Sequence, residues 1–344
     1  MLSKDFYYYL PKELIAQHPS PVRDKCRLLI LSKKGGIEHR KFYEIGEYLR
    51  EGDVIVLNNT RVIPARLKGR KKTTGGKAEI FLLQKKEDGT WECLLKPSRR
   101  LKEGTVINFP GTYLTAKVVK KERGSKGIVE FSSSHLEEEI LKVGQTPLPP
   151  YIKRPSGPTD IDRERYQTIY AKQKGAIAAP TAGLHFTHQL MQKLKSMGVK
   201  FAEITLHTGW ASFKPLLNPI VEKNRIPPEY FNISPSTAKI INETKRRGGK
   251  LIAVGTTTVR ALESQAQSSE LLLPGEGWTN LFIYPGYNFK LIDALITNFH
   301  IPGSSLILLV SAFVGREKLM AAYREAIKKG YRFLSFGDAM LIIE

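Results

Sequence analysis

From residue 174 onward, short apolar runs alternate with amphipathic segments of helical period. In Thr187–Met197, for example, Leu190, Met191 and Leu194 share one face, and the pattern stops at Gly198. The predicted strands are Ala176–Ala179, Phe201–Leu206, Leu251–Gly255, Asn280–Tyr284 and Ala294–Asn298, and the further predicted helices are Ser236–Arg247, Thr257–Gln265 and Arg316–Lys329. Repeated strand–helix units predict a parallel sheet, either open or closed into a barrel, to which the segment from Leu28 to Asn59 can add strands.

A middle stretch of the chain has a different pattern. Its short runs, rich in β-branched and apolar residues, are separated by Gly, Asp-Gly and Pro-Ser turns; they are Ala78–Gln84, Thr90–Lys96, Thr105–Phe109, Tyr113–Lys120 and Gly127–Phe131. Such spacing is typical of a small antiparallel barrel or sandwich. A proline-rich connector follows between Thr146 and Pro158. We therefore expect an α/β domain formed by residues 1–64 and 151–344, interrupted by a β-rich insert at 65–150.

Charge adds a candidate partner. The chain of 344 residues has a formal net charge of +21. Between Ala65 and Phe131 it contains 17 Lys and Arg against 7 Asp and Glu, so 17 − 7 = +10 of that excess lies in the insert. A field of this sign attracts polyanions, above all nucleic acid. The alternative is that the source proteome is generally rich in lysine, in which case the charge indicates no such partner.

Several classes of protein and site are disfavoured by the sequence. The longest apolar run, Ser304–Val314, is about half the roughly 20 residues needed to cross a bilayer. Cys26 and Cys93 stand far apart, which argues against a disulfide framework and a cysteine-built zinc site. The sequence has no P-loop, no dinucleotide-binding glycine motif and no metal-ligand spacing. We expect a cytoplasmic protein that does not enter the membrane.

Polar clusters follow nearly every predicted strand. They are Asn58–Arg61, Pro180–Thr187, His207–Trp210, Gly255–Arg260, Tyr284–Tyr287 and Asn298–Ser304. Because the carboxyl ends of parallel strands meet at one edge of a sheet, these clusters predict a pocket there.

Two features of this edge can carry chemistry. A glycine followed by threonines at the start of a helix, as in Gly255–Thr258, can hold a carboxylate or phosphate, with Arg260 adding a bidentate contact; a plain threonine cap is the alternative. His185, His207 and His300 could each act as a general base or serve a structural role.

The motifs at the strand ends carry a clear resemblance to a known family. The chain resembles the S-adenosylmethionine:tRNA ribosyltransferase-isomerases of queuosine biosynthesis over essentially its whole length. The residues that carry it are Ala178–Thr187, Val254–Arg260, Leu281–Tyr287, Ile296–His300 and Arg332–Met340, together with Leu14–Gln17, Leu57–Leu67 and Pro147–Ile152.

The resemblance implies a fold and a reaction. The fold would be a barrel-like parallel α/β domain carrying an inserted small antiparallel β-barrel. The ribosyl part of S-adenosylmethionine would move to the aminomethyl group of 7-aminomethyl-7-deazaguanine at the tRNA wobble position, with loss of adenine and methionine, to give epoxyqueuosine. S-adenosylmethionine would be a co-substrate, no cofactor or metal would be needed, and we expect a monomer.

The resemblance also suggests roles for particular residues. His185, His207 or His300 would take the C5′ proton of S-adenosylmethionine, and aromatic faces such as Trp210 would hold adenine or the sulfonium. The co-substrate would be bound by Pro180, Thr181, Gly183, Gly255, Thr256, Thr257, Thr258, Arg260, Tyr284, Asn298 and Phe299. Transfer RNA would be bound by Asn59, Arg61, Arg66, Arg70, Arg99 and Arg100.

The sequence departs from the family pattern at two places. Thr208–Pro215 lacks a usual glycine, and Asn224 and Pro227 stand where two histidines are usual. Three hypotheses therefore stay open: the queuosine enzyme, a relative that uses S-adenosylmethionine on another acceptor, and a catalytically silent RNA-binding protein. The retained Gly-Thr-Thr-Thr-Val-Arg and Asn-Phe-His clusters argue against the third.

Overall fold

The chain is described here by a computed structural model, which describes residues 1–209, 215–266 and 271–344. Two compact units divide these residues. The larger unit comprises residues 1–61, 149–153 and 165–344, and the smaller comprises 62–148 and 154–164. The observed division thus also assigns 154–164, a segment expected in the larger domain, to the smaller unit.

Strands and helices are numbered in chain order. The strands are β1 (Arg27–Ser32), β2 (Ile37–Lys41), β3 (Val54–Asn58), β4 (Thr60–Val62), β5 (Arg66–Lys71), β6 (Lys77–Lys85), β7 (Trp91–Lys96), β8 (Val106–Asn108), β9 (Thr115–Lys121), β10 (Lys126–Phe131), β11 (Gly144–Gln145), β12 (Gln173–Ala176), β13 (Lys200–Leu206), β14 (Glu229–Ile233), β15 (Leu251–Val254), β16 (Gly275–Thr279), β17 (Ala294–Asn298) and β18 (Ala339–Ile343). The helices are α1 (Leu136–Val143), α2 (Asp160–Arg165), α3 (His188–Ser196), α4 (Pro235–Arg246), α5 (Thr256–Gln265), α6 (Ser305–Val314) and α7 (Arg316–Lys328).

The larger unit is built on a nine-stranded sheet with the order β16-β14-β13-β3-β15-β17-β18-β1-β2. Its four neighbouring strands β13, β3, β15 and β17 are parallel, so their carboxyl ends lie at one edge. The pairs β17–β18, β1–β2, β13–β14 and β14–β16 are antiparallel. The predicted α/β class is confirmed, and the sheet is mixed because β14, β18 and β1 run opposite to the parallel centre.

Helices cover this sheet where the apolar period predicted them. In α4, the Ser234 hydroxyl accepts a hydrogen bond from the Thr237 amide and Pro235 occupies the first turn, which fixes the start of the helix. Helix α6 is the apolar run Ser305–Val314, and seven of its side chains are buried in the core. This run is therefore a core helix of the larger unit, as its length indicated.

Two strand predictions need correction. Residues 280–284 form no strand, because the antiparallel partner of β14 is β16, just before them in the chain. The Leu281 carbonyl instead accepts a hydrogen bond from Arg260 Nε at 3.0 Å. The strand predicted at Ala176–Ala179 ends at Ala176 and begins earlier, at Gln173.

The smaller unit contains a closed antiparallel barrel. Its strand order is β5-β6-β7-β10-β9-β8, and a pairing of β5 with β8 closes the circle. Burial alternates along β5 and β9, as expected where one face of a strand lines the barrel interior. The predicted β-barrel insert is confirmed, and its first strand, Arg66–Lys71, was missing from the sequence prediction.

In the part of the chain that the structure describes, there is no helix of the length and apolar character that a membrane span requires.

Candidate active site

Asn58, at the carboxyl end of β3, joins three segments of the sheet edge. Its amide nitrogen donates to the Leu206 carbonyl at 2.9 Å and to the Thr257 hydroxyl at 3.3 Å. Its amide oxygen accepts from the backbone N–H of Leu206 at 3.0 Å and of Thr60 at 3.2 Å. This buried side chain therefore fixes the ends of β3 and β13 relative to the start of α5.

The start of α5 has the geometry expected of an anion seat. Gly255 has φ +89°, a conformation that side chains rarely adopt, and no side-chain oxygen caps the helix. The Thr258 hydroxyl donates back to the Val254 carbonyl at 2.7 Å. The first helical amides have no acceptor within the helix, and their dipole favours negative charge. The Thr257 and Thr258 hydroxyls are engaged with Asn58 and the Val254 carbonyl, so backbone N–H groups of the first turn would be the main donors to a ligand.

The predicted residues Thr181, His185 and Asn298 form one hydrogen-bonded chain. The Thr181 hydroxyl donates to Asn298 Oδ1 at 2.9 Å. The Asn298 amide nitrogen contacts His185 Nε2 at 3.2 Å and the Leu334 carbonyl at 3.4 Å. The Leu334 carbonyl can only accept, so the Asn298 atom beside it is the amide nitrogen, which donates to both partners. His185 Nε2 is therefore an acceptor, and the ring hydrogen is on Nδ1, which faces Cys26 Sγ at 3.1 Å.

His185 is therefore a poor candidate for the general base. Both ring nitrogens have partners, and its side chain is buried. Burial, followed by the nearby Arg332 and Arg23, lowers its pKa to about 3. We conclude that His185 holds the loop of residues 180–187 against β17, a structural role that the sequence analysis had left open.

Gly183 is required by a close approach of another side chain. A Cβ at this position would lie 1.9 Å from the Tyr170 hydroxyl and 2.9 Å from Thr168 Cγ2. The neighbouring Pro180 is buried as well. The loop is therefore packed tightly onto the segment of residues 168–170. This packing accounts for a glycine at position 183 without requiring that the residue bind a ligand.

His300 and Phe299 follow β17 and point into the core. Phe299 is fully buried, with its ring 4.8 Å from that of Phe333 and 5.3 Å from that of Tyr323, so it is unavailable to stack on adenine as predicted. His300 Nε2 lies 2.8 Å from the Thr297 hydroxyl, and burial lowers its pKa to about 3. His300 is thus a neutral core histidine.

His207, after β13, is the half-buried histidine of the three. Its Nδ1 lies 2.8 Å from the Thr60 hydroxyl, which itself donates to the Gln173 carbonyl at 3.4 Å. Because the Thr60 hydroxyl donates its hydrogen to the Gln173 carbonyl, it accepts a hydrogen bond from the Nδ1–H of His207. In this tautomer of His207 the lone pair is on Nε2. Burial lowers the pKa of His207, so the neutral, proton-accepting form is the resting form at neutral pH.

Two neighbours hold the His207 ring by its face. The Tyr230 ring stacks on it at 5.4 Å between centroids. A Cβ on Gly175 would lie 2.6 Å from Nε2 and 2.8 Å from both flanking ring carbons. Such nearly equal distances place Gly175 over the ring face and not beyond its edge, so Gly175 does not block the Nε2 lone pair in the plane of the ring.

Arg260 is not available for the predicted contact with a substrate carboxylate. Its Nη1 forms a buried ion pair with Glu229 Oε2, and its other nitrogens donate to the carbonyls of Leu281 and Thr279. Glu229 Oε1 also accepts from the Gly209 amide at 2.6 Å. Arg260 therefore fastens α5 to the loop after β13.

Tyr284 is half-buried, with its ring 5.5 Å from that of Phe282.

The residues predicted to bind tRNA differ in their availability. Asn59 is buried and held by Glu203 and Thr205, so it cannot contact a phosphate. In the smaller unit, Arg66 pairs with Glu79 at 3.0 Å and Arg70 donates to the Gly75 carbonyl at 3.1 Å. Three further predicted side chains, Arg61, Arg99 and Arg100, are exposed.

The two departures from the family pattern have different outcomes. Asn224 is a structural residue: its amide oxygen accepts from the Leu217 and Asn218 amides, and its amide nitrogen donates to the carbonyls of Asn218, Ile220 and Val221. Pro227 lines a small cleft beside Glu229 and Arg260. In the Thr208–Pro215 segment, residues 210–214, including Trp210, lie outside the described residues.

Sequence reasoning missed Glu229, Tyr230 and Thr60 as parts of the site. Thr60 belongs to the polar cluster Asn58–Arg61, so its position at the sheet edge was predictable from the sequence. Its contact with His207 was not predictable. Glu229 and Tyr230 begin a strand that pairs antiparallel at the side of the sheet, and no local motif marks that pairing. Across the described ranges, no group of three His, Cys, Asp or Glu side chains is placed to hold a metal ion.

Comparisons with known proteins agree on one family. The family model described as queuosine biosynthesis protein matches residues 3–342. An S-adenosylmethionine:tRNA ribosyltransferase-isomerase of Pelotomaculum thermopropionicum is 49% identical over 341 residues, which is 98% of this chain and 99% of the relative. A crystal structure of the S-adenosylmethionine tRNA ribosyltransferase of Thermotoga maritima is 40% identical, with a TM-score of 0.56, and the match covers 98% of this chain and 100% of that one.

Proposed function

The chain belongs to the queuosine biosynthesis protein family, and from that membership we propose that it is an S-adenosylmethionine:tRNA ribosyltransferase-isomerase. The single observation that carries the proposal is 49% identity to a relative of that activity over 98% of this chain. Its substrates are then S-adenosylmethionine and tRNA bearing 7-aminomethyl-7-deazaguanine. Its products are epoxyqueuosine in tRNA, adenine and methionine.

The reaction needs a base before it needs a nucleophile. The sulfonium acidifies the adjacent C5′ proton, and a neutral side chain must accept that proton. Adenine leaves C1′ with the electron pair of its glycosidic bond, and the substrate aminomethyl nitrogen loses a proton and bonds to C1′. The deprotonated C5′ also bonds to C1′ to form the five-membered carbocycle, and the ring oxygen released from C1′ displaces methionine from C5′ and closes the epoxide. Both leaving groups come from S-adenosylmethionine itself, so the proposal requires no metal or redox cofactor.

We assign the base to His207. A hydroxyl fixes one ring nitrogen of His207, and the lone pair of the other has no hydrogen-bond partner among the described residues, whereas both ring nitrogens of His185 are occupied. His207 is also less buried than either alternative. The Thr60 contact, the Tyr230 ring and Gly175 limit its rotation, as a proton acceptor in a defined position requires. Because burial lowers its pKa, His207 is deprotonated at neutral pH before the substrate arrives.

The methionine carboxylate would lie at the start of α5. The backbone N–H groups after Gly255 and the helix dipole suit an anion, and Asn58 ties this turn directly to the strand that leads to Thr60. Arg260 would support this anion seat through its ion pair with Glu229 and would not contact the substrate. The anion seat and His207 would thus be the two fixed points of co-substrate binding.

No observation favours transfer to a different acceptor. The histidine usual at position 224 is replaced by a side chain with five hydrogen bonds to backbone groups, which accounts for Asn224 without altered chemistry.

The activity is tested by incubating the purified protein with S-adenosylmethionine and tRNA bearing 7-aminomethyl-7-deazaguanine. We expect free adenine together with a nucleoside of the mass of epoxyqueuosine. Adenine without the modified nucleoside would contradict transfer to this acceptor, and the absence of both would contradict the proposed activity.

A further inference from the structure

Three consecutive tyrosines, Tyr7, Tyr8 and Tyr9, follow the short 3-10 helix Ser3–Phe6. Tyr7 is extended, and none of the three lies in a helix, strand or turn. Successive side chains of an extended segment point to opposite sides. Tyr8 packs against the core, whereas Tyr7 is 52% exposed and Tyr9 is 82% exposed. Two large aromatic rings are therefore exposed to solvent and contribute little to the core.

The segment is held in place on both sides. The Tyr8 ring meets the Tyr323 ring edge-on at 5.1 Å, and its hydroxyl donates to the His300 carbonyl. The Gly303 amide donates to the Phe6 carbonyl at 3.0 Å, and a Cβ on Gly303 would lie 2.3 Å from the Tyr7 ring. The start of the segment and the Tyr7 ring are thus held in place, which reduces the entropy lost when a ligand stacks there.

Helix α7 supplies the other wall of a groove of about 850 Å³. Its contributing residues are Arg316, Glu317, Met320, Arg324, Ile327 and Lys328. The spacing of 316, 320, 324 and 328 puts these side chains along one helix face, about 18 Å long. Met320 and Ile327 form an apolar floor, and the three basic side chains are exposed.

The charge of the groove favours an anionic partner. Its lining contains three cations, Arg316, Arg324 and Lys328, against two carboxylates, Asp5 and Glu317. Within the described ranges, none of the three cations forms an ion pair with a carboxylate. They are therefore free to neutralise a ligand, in a chain whose net charge is +21.

We propose that this groove between the tyrosine segment and α7 binds unpaired nucleotides of the tRNA. Bases stack on Tyr7 and Tyr9, and backbone phosphates contact the α7 cations; this pairing of aromatic faces with a basic track is how single-stranded nucleic acid is held. The groove is formed by residues of the larger unit, whereas Arg66, Arg70, Arg99 and Arg100 belong to the smaller one. The inference rests on the proposed function for the identity of the RNA.

The stacking half of the proposal is tested by binding without chemistry. Affinity for tRNA bearing 7-aminomethyl-7-deazaguanine is measured in the absence of S-adenosylmethionine for the wild type, Tyr9→Ala, Tyr9→Phe and Tyr43→Ala. Tyr43 is an exposed tyrosine elsewhere in the larger unit and serves as the matched control. We expect binding to weaken roughly five- to 100-fold in Tyr9→Ala and to stay near the wild-type value in the other two.

The phosphate half is tested by salt dependence. Arg324→Ala should lower the slope of log affinity against log salt concentration by about one, whereas Arg246→Ala, at an exposed position on α4, should leave the slope unchanged. Unaltered tRNA affinity in both Tyr9→Ala and Arg324→Ala overturns the proposal, as does failure of the wild type to bind tRNA.

Turnover separates this proposal from the proposed function. If Tyr9→Ala loses tRNA affinity while the wild type makes no product, the groove stands and the activity fails. If the wild type makes product and both groove variants bind tRNA normally, the activity stands and the groove proposal fails.

Discussion

Arg260 and Glu229 form a buried ion pair that joins helix α5 to the loop after β13. Their side chains are 8% and 7% exposed, and each has further hydrogen bonds, Arg260 to two carbonyls and Glu229 to the Gly209 amide. An arginine whose donors are used within the fold is a structural support. In this chain Arg260 therefore supports the shape of the site.

We predict that Arg260→Met lowers the free energy of unfolding by about 3–5 kcal/mol, because it leaves the Glu229 carboxylate buried without its partner. The double variant Arg260→Met/Glu229→Gln should recover much of that loss, since it removes the second charge and keeps an acceptor for the Gly209 amide. Urea unfolding measures both, and Arg246→Met on the exposed face of α4 is the control, expected within about 0.5 kcal/mol of wild type.

The KM for S-adenosylmethionine distinguishes the two roles of Arg260. If the double variant regains stability and its KM returns close to the wild-type value, Arg260 is a support. A KM that stays raised in a stable double variant would instead place Arg260 on the co-substrate.

Gly175 should be irreplaceable for rate. A Cβ there would meet His207 Nε2 at 2.6 Å, and the residue has φ +146°. We predict that Gly175→Ala displaces the imidazole and lowers kcat about 100-fold. Gly248→Ala is the matched control, because Gly248 also has a positive φ of +73° but has open space around its Cβ position. Equal rates in the two variants, each shown to be folded by circular dichroism, would contradict the placement of His207.

Stability should depend on pH through the buried histidines. The pKa values of His185 and His300 are lowered to about 3 from the ordinary 6.5, so between these values the unfolded chain binds more protons than the folded one. Stability is then fully present above pH 6.5 and is lost as pH falls toward 3, by up to about 1.4 kcal/mol per pH unit for each histidine.

His300→Gln isolates one of these contributions. Urea unfolding of the variant and the wild type is compared from pH 7.5 down to pH 4.5. We expect the variant to lose stability less steeply as pH falls, whatever the offset between the two proteins at pH 7.5. Parallel curves would show that His300 does not stay neutral in the fold.

The ends of most strands are predictable from the sequence because hydrophobic period and turn residues are local properties. Strand β17 at Ala294–Asn298 and the limits of α4 and α5 to within one residue were readable from spacing alone. Strands β14, β16 and β18 were missed because their pairing is a long-range property. Residues 280–284 were mistaken for a strand because their apolar side chains pack against the core without joining a ladder.

Side-chain roles were less predictable than their positions. His185, His207 and His300 all follow strands, and nothing in the local sequence separates them. Their difference comes from distant contacts: Asn298 and Cys26 occupy the nitrogens of His185, Thr297 and burial confine His300, and Thr60 orients His207. Phe299 and Arg260 looked available because a motif does not show which neighbours bury or pair its members.

The assignment of His207 as the base is tested most directly by His207→Gln in a single-turnover reaction with S-adenosylmethionine and tRNA bearing 7-aminomethyl-7-deazaguanine. We predict that adenine release and epoxyqueuosine formation both slow by about 10²–10⁴-fold while the affinity for S-adenosylmethionine changes little. His300→Gln, compared at pH 7.5, should retain a rate within about tenfold of wild type. A His207→Gln protein that forms epoxyqueuosine at the wild-type rate would contradict the assignment.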